Sequence, residues 1–111
     1  MDFKTFEKYC RELLDHADKT LLHKAEEYAT DGDRLYNFRQ PTSMMNMSPA
    51  EVCFMYQLKH ISSVAKIAKE SSQGILPTKP LLQEKCQDML NYTLLFYATM
   101  CELLDQAQKE Q

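Results

Sequence analysis

Glu84, Asp88 and Asn91 recur at i, i+4 and i+7, with Tyr92 directly after them. At about 100° per residue the three side chains fall in one narrow sector of a helix. Two carboxylates and an amide on one stripe offer hard oxygen donors, the kind that suits magnesium. The residues that follow, Met89 to Leu104, are apolar almost all round. Such a helix is expected to be buried. Carboxylates beside a buried segment are costly unless a metal or a basic side chain meets them.

Two further polar clusters could complete a site. The first is Lys24-Ala25-Glu26-Glu27-Tyr28, followed by Asp31-Gly32-Asp33-Arg34. Glu27 lies one position from the core residue Tyr28 and can face inward at a helix end, whereas Glu26 points into solvent. The second is Lys59-His60, with Tyr56 and Ser63 one turn to either side of the histidine. Glu27 from one helix, with Glu84 and Asp88 from another running antiparallel to it, would give magnesium its oxygen environment, with manganese as a substitute. A metal held there can bridge phosphate oxygens in phosphoryl or nucleotidyl chemistry. Lys24 and Lys59 would meet the remaining phosphate charge as point cations. Each residue also has a plain structural reading. Glu84 suits the helix dipole, Glu27 can pair with Lys24, Asn91 can bond across a helix contact, and His60 can be a satisfied core histidine. His16 and His23 read as surface residues.

Other chemistries find less support. Neither glycine, Gly32 or Gly74, sits in a phosphate-cradling loop. Cys10, Cys53, Cys86 and Cys101 lie far apart without a CxxC pair, which predicts reduced, buried thiols rather than a disulfide framework or zinc site. Cys53 precedes His60 by seven residues, but nothing nearby except Lys59 would activate it. Met44, Met45 and Met47 plug a loop against the core. The net charge of −3 argues against a nucleic-acid surface. No apolar run reaches the length of about 18 residues that spans a membrane. Met1-Asp2-Phe3-Lys4 lacks the basic start and apolar run of a secretory signal. The expectation is a cytoplasmic protein.

Helices must position these residues. With 111 residues, 44% hydrophobic and 26% charged, the chain forms one domain spanning 1–111. Phe3, Phe6, Cys10, Leu13, Leu14, Ala17, Leu21, Ala25 and Tyr28 keep helical spacing and predict a first helix from Asp2 to Ala29. A short turn or helix covers Arg34 to Gln40. Ser48-Pro49-Ala50-Glu51 reads as a capping box opening a second long helix, which Gly74 stops. Thr78 caps a third, reaching Gln106. The class is all-α, a bundle of three long helices and one short one. The third carries more apolar surface than two partners would cover, which predicts a dimer or tetramer through this C-terminal helix.

Four segments then carry a resemblance: Lys24-x-x-Glu27-Tyr28, Asn37-Phe38, Lys59-His60-x-x-Ser63, and Glu84-x-x-x-Asp88-x-x-Asn91-Tyr92. In order and spacing they resemble the phage and bacterial nucleotide-modification-associated domain, which is similar to the MazG-like all-α nucleoside triphosphate pyrophosphohydrolases. The resemblance spans roughly residues 20 to 96. It implies an oligomeric helical bundle whose acids hold magnesium while water cleaves a nucleoside triphosphate to monophosphate and pyrophosphate. On that basis Glu27, Glu84 and Asp88 hold metal, and Lys59, His60 and Asn91 serve catalysis. Lys24, Asn37, Phe38 and Tyr92 border the nucleotide. One departure stands out. Many relatives place an acid and a lysine where this chain has Lys59-His60, which costs the site a carboxylate and adds a cation. Three expectations follow: a magnesium-dependent pyrophosphohydrolase of phage-type nucleotide metabolism, a nucleotide-binding module that has lost catalysis, or a structural oligomer in which Lys59 pairs with Glu84 or Asp88.

Overall fold

A computed structural model describes residues 1–22, 32–39, 41 and 45–110. Helix α1 covers Phe3–Ala17. The Asp2 carboxylate caps it by accepting the Thr5 N–H at 2.7 Å. The expected run to Ala29 does not continue as α-helix, because Asp18–Leu22 form a π-helical turn. Thr20 gives the local reason. Its hydroxyl donates to the His16 carbonyl at 3.0 Å, and such back-bonding loosens the regular ladder. The rest of the expected helix, 23–29, lies outside the described residues.

Helix α2 is one turn, Tyr36–Arg39. Asp33 starts it, accepting the Leu35 N–H at 3.1 Å in an Asx turn. Gly32 precedes it at φ 75°, a left-handed conformation that glycine adopts without strain.

Helix α3 runs Pro49–Ser71, and both halves of its capping box form. The Glu51 N–H donates to Ser48 Oγ at 3.2 Å, and the Ser48 N–H donates to Glu51 Oε1 at 3.0 Å. Its end is a Schellman motif. Gly74, at φ 81°, donates to the Ser71 carbonyl at 3.1 Å, and the Ile75 N–H reaches Glu70 at 3.0 Å. Helix α4 covers Lys79–Lys109, 31 residues capped by Thr78. At 1.5 Å per residue it is about 46 Å long. That length sets the long dimension of a 51 × 29 × 28 Å molecule.

The contacts fix the topology. Cys53 meets Tyr92, Gln57 meets Met89 and Thr93, and His60 meets Asp88, so α3 and α4 run antiparallel. Glu12 meets Lys79 and Thr20 meets Gln87, so α1 runs parallel to α4. The core joins Leu21, Leu35, Phe38, Val52, Cys53 and Leu95, with Met47, Tyr92 and Phe96 packed around it. Arg39 locks α2 in place with a forked grip. It donates to both Glu102 carboxylate oxygens at 2.7 and 2.8 Å, and to Asp33 at 2.6 and 3.2 Å.

The chain is thus all-α, with no strand among the described residues. No described helix is long and apolar enough to cross a membrane. One expectation is corrected. Helix α4 is not buried within the single chain, where only Gln87, Leu95 and Thr99 are enclosed. Tyr97 is 70% exposed and Leu104 60%. The described neighbours, α1 and α3, cover too little of its circumference to enclose the rest.

Candidate functional site

The carboxylate and amide of the polar stripe open into a cavity of about 620 Å³. It lies where the π turn, α2, α3 and α4 converge. Asp88, Asn91 and Tyr92 come from α4, Asn37 and Phe38 from α2, and Tyr56 from α3. Thr20, Arg34, Pro41 and Gln87 also line the cavity. The spacing read from the sequence explains the α4 wall. Residues 88, 91 and 92 share one face, and the antiparallel partner α3 leaves that face open toward α2.

Aromatic rings build one part of the lining. Phe38 lies 6.0 Å from Tyr56 and 6.2 Å from Tyr92, both tilted, and His60 packs 4.7 Å from Tyr92. Such offset contacts hold the rings against one another. Gln87 is buried and donates to Thr20 Oγ1, which ties α4 to the π turn. The loosened helix therefore has a structural counterpart, since the turn brings Thr20 to Gln87.

The polar groups are less fully satisfied. Asn91 Oδ1 is buried and finds no hydrogen-bond partner among the described residues. A buried amide oxygen left so costs about 1–3 kcal/mol, which a ligand, ion or water would relieve. His60 Nδ1 stands 3.7 Å from Asp88 Oδ2, too far for a hydrogen bond but close enough to attract when the imidazole is protonated. Burial raises the Tyr92 pKa; Cys53, Tyr56 and Asp88 act in the same direction and Arg34 opposes them. The phenol is therefore a neutral donor at physiological pH. Cys53 is fully enclosed, and burial pushes its thiol up to about 11. It donates to the Tyr92 carbonyl at 3.8 Å and supplies no thiolate at neutral pH.

The structure brings together Asn37, Phe38, Asp88, Asn91 and Tyr92, with His60 touching Asp88 and Tyr92 from beside the lining. Lys59 and Glu84 are exposed and not part of the described lining. Lys59 makes no ion pair with Glu84 or Asp88 among the described residues, which is the contact a purely structural reading required. Lys24 and Glu27 lie outside the described residues. Among the described residues no three His, Cys, Asp or Glu side chains gather to hold a metal. Asp88 and Asn91 do place two hard oxygen-bearing groups on one wall of the cavity, a donor chemistry that fits magnesium.

Sequence reasoning passed over three contributors. Arg34 was visible in a polar cluster, and its place three residues before Asn37 could have marked it as a neighbour. Tyr56 stood one turn from His60. The Arg39–Glu102 pair joins residues 63 positions apart and carries no local signal. No family model matches the chain, and no curated protein or solved structure matches it.

Proposed function

We propose that the chain is a magnesium-dependent nucleoside triphosphate pyrophosphohydrolase of the MazG-like kind, acting on a (deoxy)nucleotide in phage-type nucleotide metabolism in the cytoplasm. The observation that carries this reading is the convergence of Asp88, Asn91, Tyr92, Asn37 and Phe38 on one cavity. Its volume of about 620 Å³ falls within the range of pockets that enclose small ligands. Flat rings suit a base, and amides suit the edges of a base or sugar.

As the resemblance implies, Asp88 would hold the metal together with Glu27 and Glu84, and Asn91 would orient the ligand. When bound, magnesium or manganese would supply Lewis-acid stabilisation of negative charge on phosphate. The chain's own groups do the positioning. Phe38 and Tyr92 flank the nucleotide, Asn37 and Lys24 border it, and the neutral Tyr92 phenol offers a donor. His60 contacts phosphate from beside the lining, while the exposed Lys59 adds only a screened charge. A water oxygen bonds to the α-phosphorus as its bond to the α–β bridging oxygen breaks, pyrophosphate leaves with that oxygen, and the proton shed by the water passes to solvent, yielding the monophosphate. The exposed apolar flank of α4, with Leu94, Tyr97 and Leu104, supports a homodimer or a dimer of dimers closed through that helix.

Pyrophosphate release from a panel of standard and modified deoxynucleoside triphosphates, with magnesium and with manganese, tests the reading. Release that needs the metal and collapses in Asp88→Asn is expected. If nothing is cleaved, or if Asp88→Asn matches the parent, the enzyme reading fails. One observation favours a second reading, a nucleotide-binding module without catalysis: no three-ligand metal group forms among the described residues. Calorimetry would then record nucleotide binding that is indifferent to divalent ions.

A further inference from the structure

The cavity needs a cation for an anionic ligand, and the lysines expected from the sequence do not provide one among the described residues. Lys59 is exposed and away from the lining. Arg34 is the one Lys or Arg side chain that the described lining contains. Its position is fixed from both sides. The residue before it, Asp33, is gripped by Arg39, which also forks onto Glu102 of α4. The residue after it, Leu35, is buried and donates its N–H to Asp33. The backbone carrying Arg34 is therefore anchored on both sides. Arg34, Asp88 and Tyr92 line one cavity. A guanidinium presents a planar fork that matches phosphate oxygens two at a time, and it is more weakly hydrated than an ammonium.

We propose that Arg34, which lines the same cavity as Asp88 and Asn91, is the residue that binds the phosphate chain of the ligand. This deepens the nucleotide reading and rests on it for the ligand's class. The triphosphate lies within reach of the guanidinium, Asp88 and Asn91, and the base lies among Phe38, Tyr56 and Tyr92. Arg34 acts as a binding residue, and Lys59 makes only a screened contribution from solvent.

Calorimetry with inorganic tripolyphosphate and with α,β-methylene deoxynucleoside triphosphates, each with magnesium, tests it. Relative to the parent, Arg34→Lys should weaken binding about tenfold and Arg34→Gln about a hundredfold, because the fork and then the charge are lost. Lys59→Gln should change it by about threefold or less, as expected of an exposed charge. Parent-like binding by Arg34→Gln overturns the proposal and leaves the nucleotide reading standing. Arg34-dependent binding of tripolyphosphate, with no nucleotide bound more tightly than tripolyphosphate, supports Arg34 and overturns the nucleotide reading. Binding of neither probe by the parent overturns both. A second measurement uses the unaltered protein, so it does not depend on a variant folding. Phenylglyoxal labelling, located by peptide mass, should slow at Arg34 when the nucleotide analogue is present and stay constant at exposed Arg11. Equal labelling of Arg34 with and without the analogue overturns the proposal.

Discussion

The cavity between α2, α3 and α4 and the groove between α1 and α4 sit on the same long helix and treat their charges in opposite ways. The groove, about 400 Å³, contains Glu12 and Lys79, which meet each other at 3.2 Å. The same Lys79 ammonium lies 4.9 Å from the centre of the Tyr9 ring. Its charges are spent within the protein, and Leu13, Leu82 and Cys86 supply most of what remains. In the cavity the ion-pair contact of Asp88 is a histidine nitrogen at 3.7 Å, and Asn91 Oδ1 is buried without a hydrogen-bond partner among the described residues. A seam that serves packing compensates its polar atoms internally. A wall built for a ligand leaves capacity open, and size alone does not separate the two.

Substitutions can break or sharpen that contrast. The largest effect is expected on chemistry. Asp88→Asn should slow pyrophosphate release by at least the ~100-fold that even an outer-shell change can cost a metal site. Glu12→Gln, in the groove, should leave the rate within about twofold, since a partly exposed pair contributes little. Equal losses in a pyrophosphate assay would erase the distinction. Next comes the core that packs behind the cavity residues Leu21, Phe38 and Leu95. Val52 is fully enclosed, so Val52→Ala should cost about 2 kcal/mol in urea unfolding. Leu82→Ala, at a position 37% exposed, should cost about 1 kcal/mol or less.

The α2 clamp gives a smaller, pH-dependent effect. The hydrogen bond from Arg39 holds the Glu102 carboxyl below its ordinary value of 4.5. The same guanidinium lowers Asp33 from 3.8. A carboxylate with a lowered folded-state pKa stabilises the protein above its unfolded value and loses that contribution as pH falls through the folded one. Glu102→Gln should therefore destabilise at pH 7 by about 1 kcal/mol, a figure discounted because both partners are more than about a third exposed. The parent should lose its advantage over Glu102→Gln as pH falls below 4.5. Urea titrations at neutral pH and near pH 3 check the sign; a gap that widens in acid would refute it. The smallest expected change is Ser48→Ala, about 1 kcal/mol or less in the same assay, because one exposed cap is lost far from either cavity.

Much of the fold was legible because it is locally encoded. Ser48, Glu51, Thr78 and Gly74 act within a few residues of themselves, and they bound α3 and the start of α4 where the sequence predicts. The shared face of Asp88, Asn91 and Tyr92 follows from helical period alone. The break in α1 was not legible, because its apolar spacing runs on through Leu21 while a single hydroxyl, Thr20, competes for the backbone. The surplus apolar surface of α4 was legible from its apolar circumference, but which of its residues the chain leaves exposed was not. Which cation reaches the cavity depended on how the segment before α2 turns back toward α4. That is a long-range outcome, and it favoured Arg34 over Lys59.

The forked bond from Arg39 to Glu102 has a consequence for biosynthesis. The segment bearing Asn37 and Phe38 is synthesised before its anchor, since Glu102 lies 63 positions beyond Arg39. During that interval this wall has no carboxylate from α4 to hold it. The ligand-facing arrangement is thus completed only once residue 102 is available, and chains truncated before it should lack the finished recess.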